Sequence, residues 1–172
     1  MTRYSFSKLH LTDRRYVLRE ERRDHGYLDF EGFCGTTAQA VTHERSWTFR
    51  RSGVFKPVVI VHRAGEADEL LVAPMRFAGG CDVTIGGQTY RWQSTAVLRG
   101  EHSWVDSAGH AVIRSLSRLS LGHVDREIEL LSQGLSAEAG DLLVLLAGYL
   151  LVLQSYDVAA TTAAVLAATA TV

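Results

Sequence analysis

The sequence predicts a mainly β protein, a closed or nearly closed antiparallel barrel of about twelve strands wrapped around a central hydrophobic C-terminal helix. Three observations predict this fold. Residues 4–132 consist of short segments rich in β-branched and aromatic residues, separated by Gly and Asp, and they show no helical period. Residues 142–153 then form an unbroken apolar run. With 172 residues, 47% hydrophobic, the chain is large enough to bury a substantial core as one domain.

Side-chain alternation predicts which face of each strand is buried. Tyr90 and Trp92 share one face and Arg91 lies on the other, because successive side chains of a strand point to opposite sides of the sheet. By the same rule, Ile128 lies on the core face of its segment and Glu129 on the solvent face. A helical period would scatter these acidic residues around the axis.

Turn signals between the segments predict hairpins. The glycine pair at 86–87 can adopt the positive φ values that a tight hairpin requires. The Asp-Ser-Ala-Gly segment at 106–109 has Asp to begin a turn and Gly to end it. A third connection, at 64–68, joins two further apolar segments. We therefore expect ten to twelve strands, and a sheet of that length is expected to curl or close.

The apolar run is predicted to be a helix that begins after an N-cap at Ser136, with Glu138 and Asp141 near its positive N-terminus. A helix that is apolar all round must be surrounded by protein or by lipid. Twelve residues span about 18 Å, which is short of the roughly 30 Å of a bilayer core. Asp157 interrupts any extension. Burial in protein is therefore favoured, with a membrane segment and a buried parallel strand as the alternatives.

These expectations define the domain organisation. Residues 1–156 are predicted to form one barrel with its central helix at about 138–154. Residues 157–172 are predicted to be an Ala/Thr-rich extension, helical or frayed, because alanine favours a helix and threonine weakens it.

Several segments together resemble the tubby C-terminal-like superfamily, which includes the LURP-one-related proteins, the phospholipid scramblases and many bacterial members. They are Tyr-Val-Leu-Arg at 16–19, Tyr-Arg-Trp at 90–92 and Trp-Val-Asp-Ser-Ala-Gly at 104–109, followed by the hydrophobic run at 142–153. The resemblance implies a twelve-stranded barrel around a central C-terminal helix. It also implies phosphoinositide binding, as in tubby domains, or membrane association, as in scramblases. The chain lacks the alternating acids of a calcium loop, so scramblase activity is not carried over.

Charge is distributed unevenly along the chain. The formal net charge of -1 argues against bulk binding to nucleic acid. Residues 1–60, however, carry eleven basic and seven acidic side chains. The tightest basic group is Arg50, Arg51 and Lys56, which is predicted to meet an anionic ligand such as a phospholipid headgroup. The alternative is an ordinary solvated turn.

Motifs for catalysis or for a cofactor are not found in the sequence. No histidine pair has ligand spacing, and no nucleophile elbow or phosphate-binding loop is present. The weak metal candidates are Glu101, His102, Asp106 and His110, of which His102 and His110 are expected to lie close on paired strands. Two widely separated cysteines indicate neither a disulfide framework nor a zinc site. We predict no catalytic residue, no cofactor and no resident metal.

The sequence therefore predicts a non-enzymatic tubby-like module that binds an anionic lipid headgroup, a hydrophobic ligand or a protein partner. The alternatives are a membrane-associated, scramblase-like protein and an enzyme with a site near the 101–110 hairpin. The N-terminus lacks the apolar core of a signal peptide. We expect a cytoplasmic protein, peripheral at the membrane rather than integral to it.

Overall fold

Twelve strands and one helix make up the structure, a computed structural model that describes residues 1–8, 10, 12–32, 35–53, 55–76, 80–96, 100–120 and 123–169. The strands are β1 Thr2–Lys8, β2 Arg15–Glu20, β3 Arg23–Phe30, β4 Thr37–Thr42, β5 Ser46–Ser52, β6 Val58–Arg63, β7 Glu69–Pro74, β8 Cys81–Ile85, β9 Gln88–Ala96, β10 Glu101–Val105, β11 Ala111–Ser120 and β12 His123–Leu130. The helix, α1, spans Ala137–Thr169.

The strands form one antiparallel sheet that nearly closes into a barrel. Strands that follow one another in the chain pair with each other, except β7 and β8, and β1 also pairs with β12, which gives the order β7-β6-β5-β4-β3-β2-β1-β12-β11-β10-β9-β8. The two end strands, β7 and β8, meet through an isolated bridge between Met75 and Cys81. The predicted fold class is confirmed.

The barrel has two ends, which differ in their connections to α1. At the lower end lie the turns at 21–22, 64–68, 86–87 and 106–110, and the segment 131–136 that leads into α1. At the upper end lie the start of β2, the end of β5 and the start of β10. Because α1 begins at the lower end and its Asp157 contacts Arg51 on β5, the helix runs through the barrel and leaves at the upper end.

The predicted hairpins at 86–87, 106–109 and 64–68 are confirmed. Gly86 and Gly87 have φ values of 58° and 78° between β8 and β9, and Gly109 has a φ of 85°. Asp106 accepts hydrogen bonds through Oδ1 from the backbone N–H groups of Ala108 and His110, at 2.9 and 2.8 Å. The Asp and Gly signals therefore act as their conformational preferences predict.

The barrel interior is filled by aromatic side chains and by α1. Trp47, Trp92 and Trp104 are fully buried, and every side chain of residues 142–147 and 149–153 is buried as well. Trp104 Nε1 donates a hydrogen bond to the Leu143 carbonyl at 3.1 Å, so the wall also contacts the helix backbone. The protein-enclosed helix is confirmed.

A single continuous helix covers both the central segment and the Ala/Thr-rich extension. Ser136 is the N-cap, because its Oγ accepts a hydrogen bond from the Ala139 N–H at 3.2 Å. Asp157, the predicted boundary of the barrel, marks the point beyond which α1 becomes exposed.

One prediction of surface exposure was wrong. Glu129 lies on the outer face of β12 but is only 4% exposed. It is flanked by Arg3 on β1 and Arg114 on β11, the residues opposite it on the two neighbouring strands. Arg3 Nε lies 3.0 Å from Glu129 Oε1. The long arginine covers the carboxylate, as cations with apolar stems often do.

Candidate functional site at the upper end

The predicted basic group does not form one cluster, because adjacent residues of β5 face opposite sides of the barrel wall. Arg50 is exposed on the outer face. Arg51 shares the inner face of Phe49, and its Nη1 lies 2.8 Å from Asp157 Oδ2 on α1. Lys56 is exposed in the turn after β5. Arg50 and Lys56 therefore remain exposed cations, whereas Arg51 binds the helix where it leaves the barrel.

Beside Lys56 lies an exposed aromatic residue that the sequence reasoning missed. Phe55 is 98% exposed at the tip of the β5–β6 connection. Its position between Gly53 and Pro57 was the available signal, because a turn offers no buried strand face to an aromatic ring. An aromatic next to a lysine gives this tip both apolar and cationic character.

The last part of α1, residues 158–169, projects from the upper end, and we call it the helix arm. Val158 is 66% exposed and Leu166 is 63% exposed. From Val158 to the last residue, Val172, the sequence has no charged side chain. At 1.5 Å per residue, the helix arm extends about 18 Å beyond the barrel.

The polar groups of two threonines in the helix arm are satisfied within the helix. Thr161 Oγ1 donates to the Asp157 carbonyl at 2.8 Å, and Thr162 Oγ1 donates to the Val158 carbonyl at 2.9 Å. Threonine hydroxyls bonded to the preceding turn are a common feature of helices in apolar surroundings. Among the side chains of the helix arm that the structure describes, the exposed surface is therefore largely apolar.

Inside the barrel, near the same end, four polar side chains lie on the inner face of the wall, and we call them the luminal cluster: Tyr16, His102, Ser115 and Arg126. His102 on β10 lies directly opposite Ser115 on β11. Arg126 on β12 is two residues from Ile128, the partner of Ser115, and so shares its face. Tyr16 on β2 is close enough to Arg126 for each to influence the pKa of the other.

Burial dominates the electrostatics of the luminal cluster. It lowers the pKa of His102, against the opposing effect of its hydrogen bond to the Gly100 carbonyl, and so favours the neutral imidazole. It also lowers the pKa of Arg126, an effect that Tyr16 partly offsets. The pKa of Tyr16 is raised, again mainly by burial. Each of these shifts disfavours the charged form of its group.

Three contacts position two members of the luminal cluster, whereas another member, Ser115, has no hydrogen-bond partner within the described residues. The His102 ring stacks on Trp92 at a centroid distance of 5.4 Å, and its Nδ1 lies 3.3 Å from the Gly100 carbonyl oxygen. The Tyr16 hydroxyl is hydrogen-bonded to Tyr156 on α1. Ser115 Oγ is fully buried and has no hydrogen-bond partner within the described residues.

The structure does not bring the four metal candidates together. Glu101 and His102 lie at the upper end, whereas Asp106 and His110 lie in the lower-end turn. His102 faces Ser115 rather than His110, so the expected proximity of the two histidines was wrong. His110 Nδ1 lies 3.6 Å from Asp106 Oδ2. Among the residues that the structure describes, no group of three or more His, Cys, Asp or Glu side chains is arranged to hold a metal ion.

At the lower end, acidic residues at the start of α1 are clamped by the barrel rim. Asp141 lies 3.0 Å from His25 Nε2 and 3.3 Å from Arg45 Nη1. Glu138 pairs with Arg63. The hydrogen bond to Asp141 raises the pKa of His25. These contacts anchor the start of the helix at the lower end of the barrel.

A groove of about 510 Å³ lies on the outer face of β2–β4. Its floor includes Val17, Tyr27 and Val41. At its rim, Arg15 lies over the Tyr27 ring at 4.4 Å and pairs with Asp29 at 2.6 Å.

Comparison with family models, with curated proteins and with solved structures finds no match to this chain. One helix of the described chain, over Ala137–Ala163, is long and apolar enough to cross a membrane by length and composition alone. Its most apolar window is 67% buried inside the barrel. The core helix of a soluble protein has the same properties, so this is weak support for a membrane span.

Proposed function

We propose that this protein is a non-enzymatic, tubby-like barrel that binds anionic membrane surfaces through its upper end. The observation that carries the proposal is the helix arm, which leaves the barrel with exposed apolar side chains and no charge. A soluble domain gains nothing from exposing such a segment to water. A membrane interface would bury it.

The tip of the β5–β6 connection would add to the same contact. Phe55 offers an aromatic ring, and Arg50 and Lys56 offer exposed cations at the end from which the helix arm projects. Full burial of a large apolar side chain is favourable by roughly 1.5–3 kcal/mol, and a cation near an anionic membrane contributes about 1 kcal/mol. Together these groups suffice for reversible binding.

Interfacial insertion fits the dimensions better than a membrane span. The helix arm is about 18 Å long, whereas a bilayer core is roughly 30 Å thick. The remainder of α1 fills the barrel, and removing it would expose the core to water. The helix arm would therefore enter one leaflet or lie along its surface while the barrel stays folded.

The luminal cluster supports a binding role rather than catalysis. Ser115, the buried hydroxyl, has no hydrogen-bonded base to activate it within the described residues. An activated serine nucleophile requires such a base. His102 is also separated from Asp106 by about 13 Å along β10. The polar residues of the 101–110 hairpin therefore do not form one enzyme site.

Cosedimentation with vesicles tests the proposal. The parent protein is expected to pellet with vesicles that contain phosphatidylserine and to pellet less with pure phosphatidylcholine. Leu166→Glu should reduce pelleting with both, because it places a charge on the apolar helix arm. Lys56→Glu should reduce only the binding that depends on anionic lipid, and added salt should weaken that part, since the Debye length is about 10 Å at 0.1 M and about 3 Å at 1 M.

A matched charge reversal at the opposite end is the control. Arg22 is exposed in the lower-end turn, so Arg22→Glu changes the net charge as Lys56→Glu does but should leave pelleting unchanged. Absence of pelleting in the parent would refute membrane binding and favour a protein partner. Equal loss in Lys56→Glu and Arg22→Glu would indicate net charge rather than the upper end.

A further inference from the structure

We propose that the outer face of β5–β7 binds a second copy of this chain, so that two copies form a symmetric dimer. At the centre of this face lie five apolar side chains, which we call the seam patch: Val58, Ile60, Leu70, Val72 and Pro74. The patch lies beside the seam of the barrel, where β7 and β8 meet through an isolated bridge. It is separate from the helix arm, and the proposal therefore goes beyond membrane binding.

The register of the three strands places these side chains together. Ile60 on β6 lies between Arg50 on β5 and Val72 on β7. Val58 lies opposite Pro74, one step further towards the upper end. Because Arg50 points to the outside of the wall, its partners in the same row and the residues two positions away from them do so too. The apolar side chains therefore form one continuous outer surface.

The strand β7 is apolar on both of its faces, which is unexpected for a strand with one face in water. Leu71 and Ala73 are buried in the interior, as alternation requires. On the outer face, however, Leu70 is 40% exposed and Val72 is 45% exposed. Among the strand residues that the structure describes, these are the only large apolar side chains that are exposed. Strands that are apolar on both faces are typically covered on both, and exposed apolar residues at the end of a sheet promote association.

Two exposed charges flank the seam patch and have no ion-pair partner within the described residues: Arg50 on β5 and Glu69 on β7. Elsewhere on the outer face, several arginines pair with acidic residues of a neighbouring strand, as Arg15 on β2 does with Asp29 on β3 at 2.6 Å. Charged residues around an apolar centre are typical of the rim of a protein interface, where they select the partner. Arg50 and Glu69 therefore indicate a partner that presents both an anion and a cation.

The positions of these two charges suit a two-fold axis. Arg50 lies opposite Ile60, and Glu69 lies opposite His62. Two strand spacings across the sheet and two residues along it place the Cα atoms of Arg50 and Glu69 about 12 Å apart. A two-fold axis midway between them would bring each Arg50 against Glu69 of the other copy, with the apolar side chains of both copies between the two ion pairs. In such an isologous contact the same surface serves both partners.

A second copy fits this surface better than an anionic membrane does. Glu69 is exposed next to Leu70 and would be repelled by anionic lipid, whereas a second copy supplies Arg50 to meet it. In the dimer Arg50 would be paired, which leaves Lys56 and the helix arm for the membrane.

The size of the surface predicts a weak dimer. Three strands with six residues each cover about 14 by 20 Å, or about 280 Å². A standard complex buries roughly 800 Å² on each partner. The dimer should therefore be populated at high micromolar and not at nanomolar chain concentrations.

Sedimentation velocity of the full chain, from micromolar to millimolar concentration and without membranes, measures the dimer. The parent should shift from monomer to dimer over this range. Val72→Ser should raise the dissociation constant of the dimer about tenfold, because an apolar side chain is lost from both copies. The matched control is Val41→Ser, on the outer face of β4, which should leave the dissociation constant unchanged.

Charge exchange tests the arrangement of the two copies. Arg50→Glu and Glu69→Arg should each weaken the dimer about tenfold, because symmetry replaces two attractive contacts by two repulsive ones. An equal mixture of these two variants should associate more tightly than either variant alone, since every contact between positions 50 and 69 then joins opposite charges. A mixture of Arg22→Glu with Glu69→Arg has the same net charges and should show no such gain. Both sites are exposed, so the melting temperatures should stay close to that of the parent.

The outcomes separate a second copy from the other possible occupants. A weaker dimer in Val72→Ser, together with recovery in the mixture of Arg50→Glu and Glu69→Arg, assigns the seam patch to a second copy. A parent that stays monomeric at millimolar concentration overturns the proposal, and if its vesicle binding is lost in Val72→Ser, the patch belongs to the membrane contact instead. A dimer that Leu166→Glu abolishes and Val72→Ser leaves intact also overturns it, because the helix arms then hold the copies together. Failure of the mixture to recover association refutes the pairing of Arg50 with Glu69 and the symmetric dimer with it.

Discussion

Replacing Gly148 with alanine is expected to destabilise the protein, although alanine is the better helix former. Gly148 lies in the buried part of α1 and faces Phe6 on β1 and Leu28 on β3. A Cβ atom at this position would lie 2.9 Å from Phe6 Cζ, 3.0 Å from Phe6 Cε2 and 3.4 Å from Leu28 Cδ1. Carbon atoms do not approach to 2.9 Å without repulsion, so the ring or the helix must move.

The balance of two opposing effects gives the expected magnitude. Alanine in place of glycine favours a helix by about 1 kcal/mol. Overpacking a close-packed core typically costs about 1–3 kcal/mol. The Phe6 ring is stacked on Tyr16 at a centroid distance of 5.1 Å and cannot easily turn away. We therefore place the cost at its upper range and expect a net loss of about 1–2 kcal/mol, or about 3–6 °C in melting temperature for a chain of this length.

Gly140 provides the matched control within the same helix. A Cβ atom there would meet only Leu130 Cδ2 at 3.9 Å, an ordinary contact. Gly140→Ala should therefore raise the free energy of unfolding by up to about 1 kcal/mol. Urea unfolding followed by tryptophan fluorescence measures both variants. If Gly148→Ala proves as stable as Gly140→Ala, the close approach of helix and wall is refuted.

Three further predictions concern titratable side chains. Because the pKa of His25 is raised, its pairing with Asp141 stabilises the fold below pH 6.5, and this contribution is lost as the pH rises through the folded-state pKa. His25→Gln should remove this pH dependence from the free energy of unfolding measured in urea. An unchanged pH dependence in the variant would contradict the stabilising role of the pair. The lowered pKa of His102 has the opposite sign, so its neutral burial should destabilise the fold as the pH falls below 6.5, and His102→Gln should flatten that acid-side loss. Burial raises the pKa of the Cys81 thiol to about 12, so in a Cys34→Ser background an aromatic disulfide reagent at pH 8 should react only at the rate of unfolding, and immediate reaction would argue against a buried thiol.

Local signals in the sequence were sufficient to predict the hairpins and the enclosed helix. The glycine pair at 86–87 and the Asp–Gly turn at 106–109 depend on backbone preferences that act within four residues, and both formed as predicted. The helix at 142–153 is apolar on every side, which permits only a completely buried position in a folded chain. These features need no knowledge of distant contacts.

The division of the predicted basic group follows from side-chain alternation along β5, a signal that the sequence contains but that the prediction did not apply to these residues. Arg51 shares a strand face with Phe49, which is buried, so the sequence alone indicated that its side chain points inward. Arg50 points outward for the same reason. The basic group was therefore divided by the period of the strand, and the proximity of three cations in sequence did not produce proximity in space.

Other parts of the structure required information that no local pattern contains. In the register of β2 and β3, Leu18 lies opposite Gly26 and Arg19 opposite Asp24, so His25 is an extra residue on β3. Such bulges redirect side chains, and here His25 reaches Asp141 on α1. Cys34, one of the two cysteines considered in the sequence, lies outside the described residues.

The luminal cluster likewise combines residues that are more than 100 positions apart in the chain, from Tyr16 to Arg126. Its assembly depends on the pairing of β1 with β12, which closes this side of the barrel. No turn signal specifies that pairing, because it joins the first strand to the last. The burial of these polar groups could be inferred only after the register was known.

Polar contacts at both ends of the barrel explain how a helix that is apolar on every side adopts one position along and around its axis. The apolar run of α1 has leucine or valine on every side, so hydrophobic burial alone would tolerate a shift along the axis or a rotation. A shift of one residue rotates the helix by about 100°. Such a shift would break the ion pair of Asp141 with Arg45 on the lower rim and that of Asp157 with Arg51. Tyr149, which donates to the Thr36 carbonyl, adds a third fixed point. Such contacts contribute more to specificity than to stability. Here they also determine that the helix arm begins directly after Asp157, and so how much apolar helix the upper end presents.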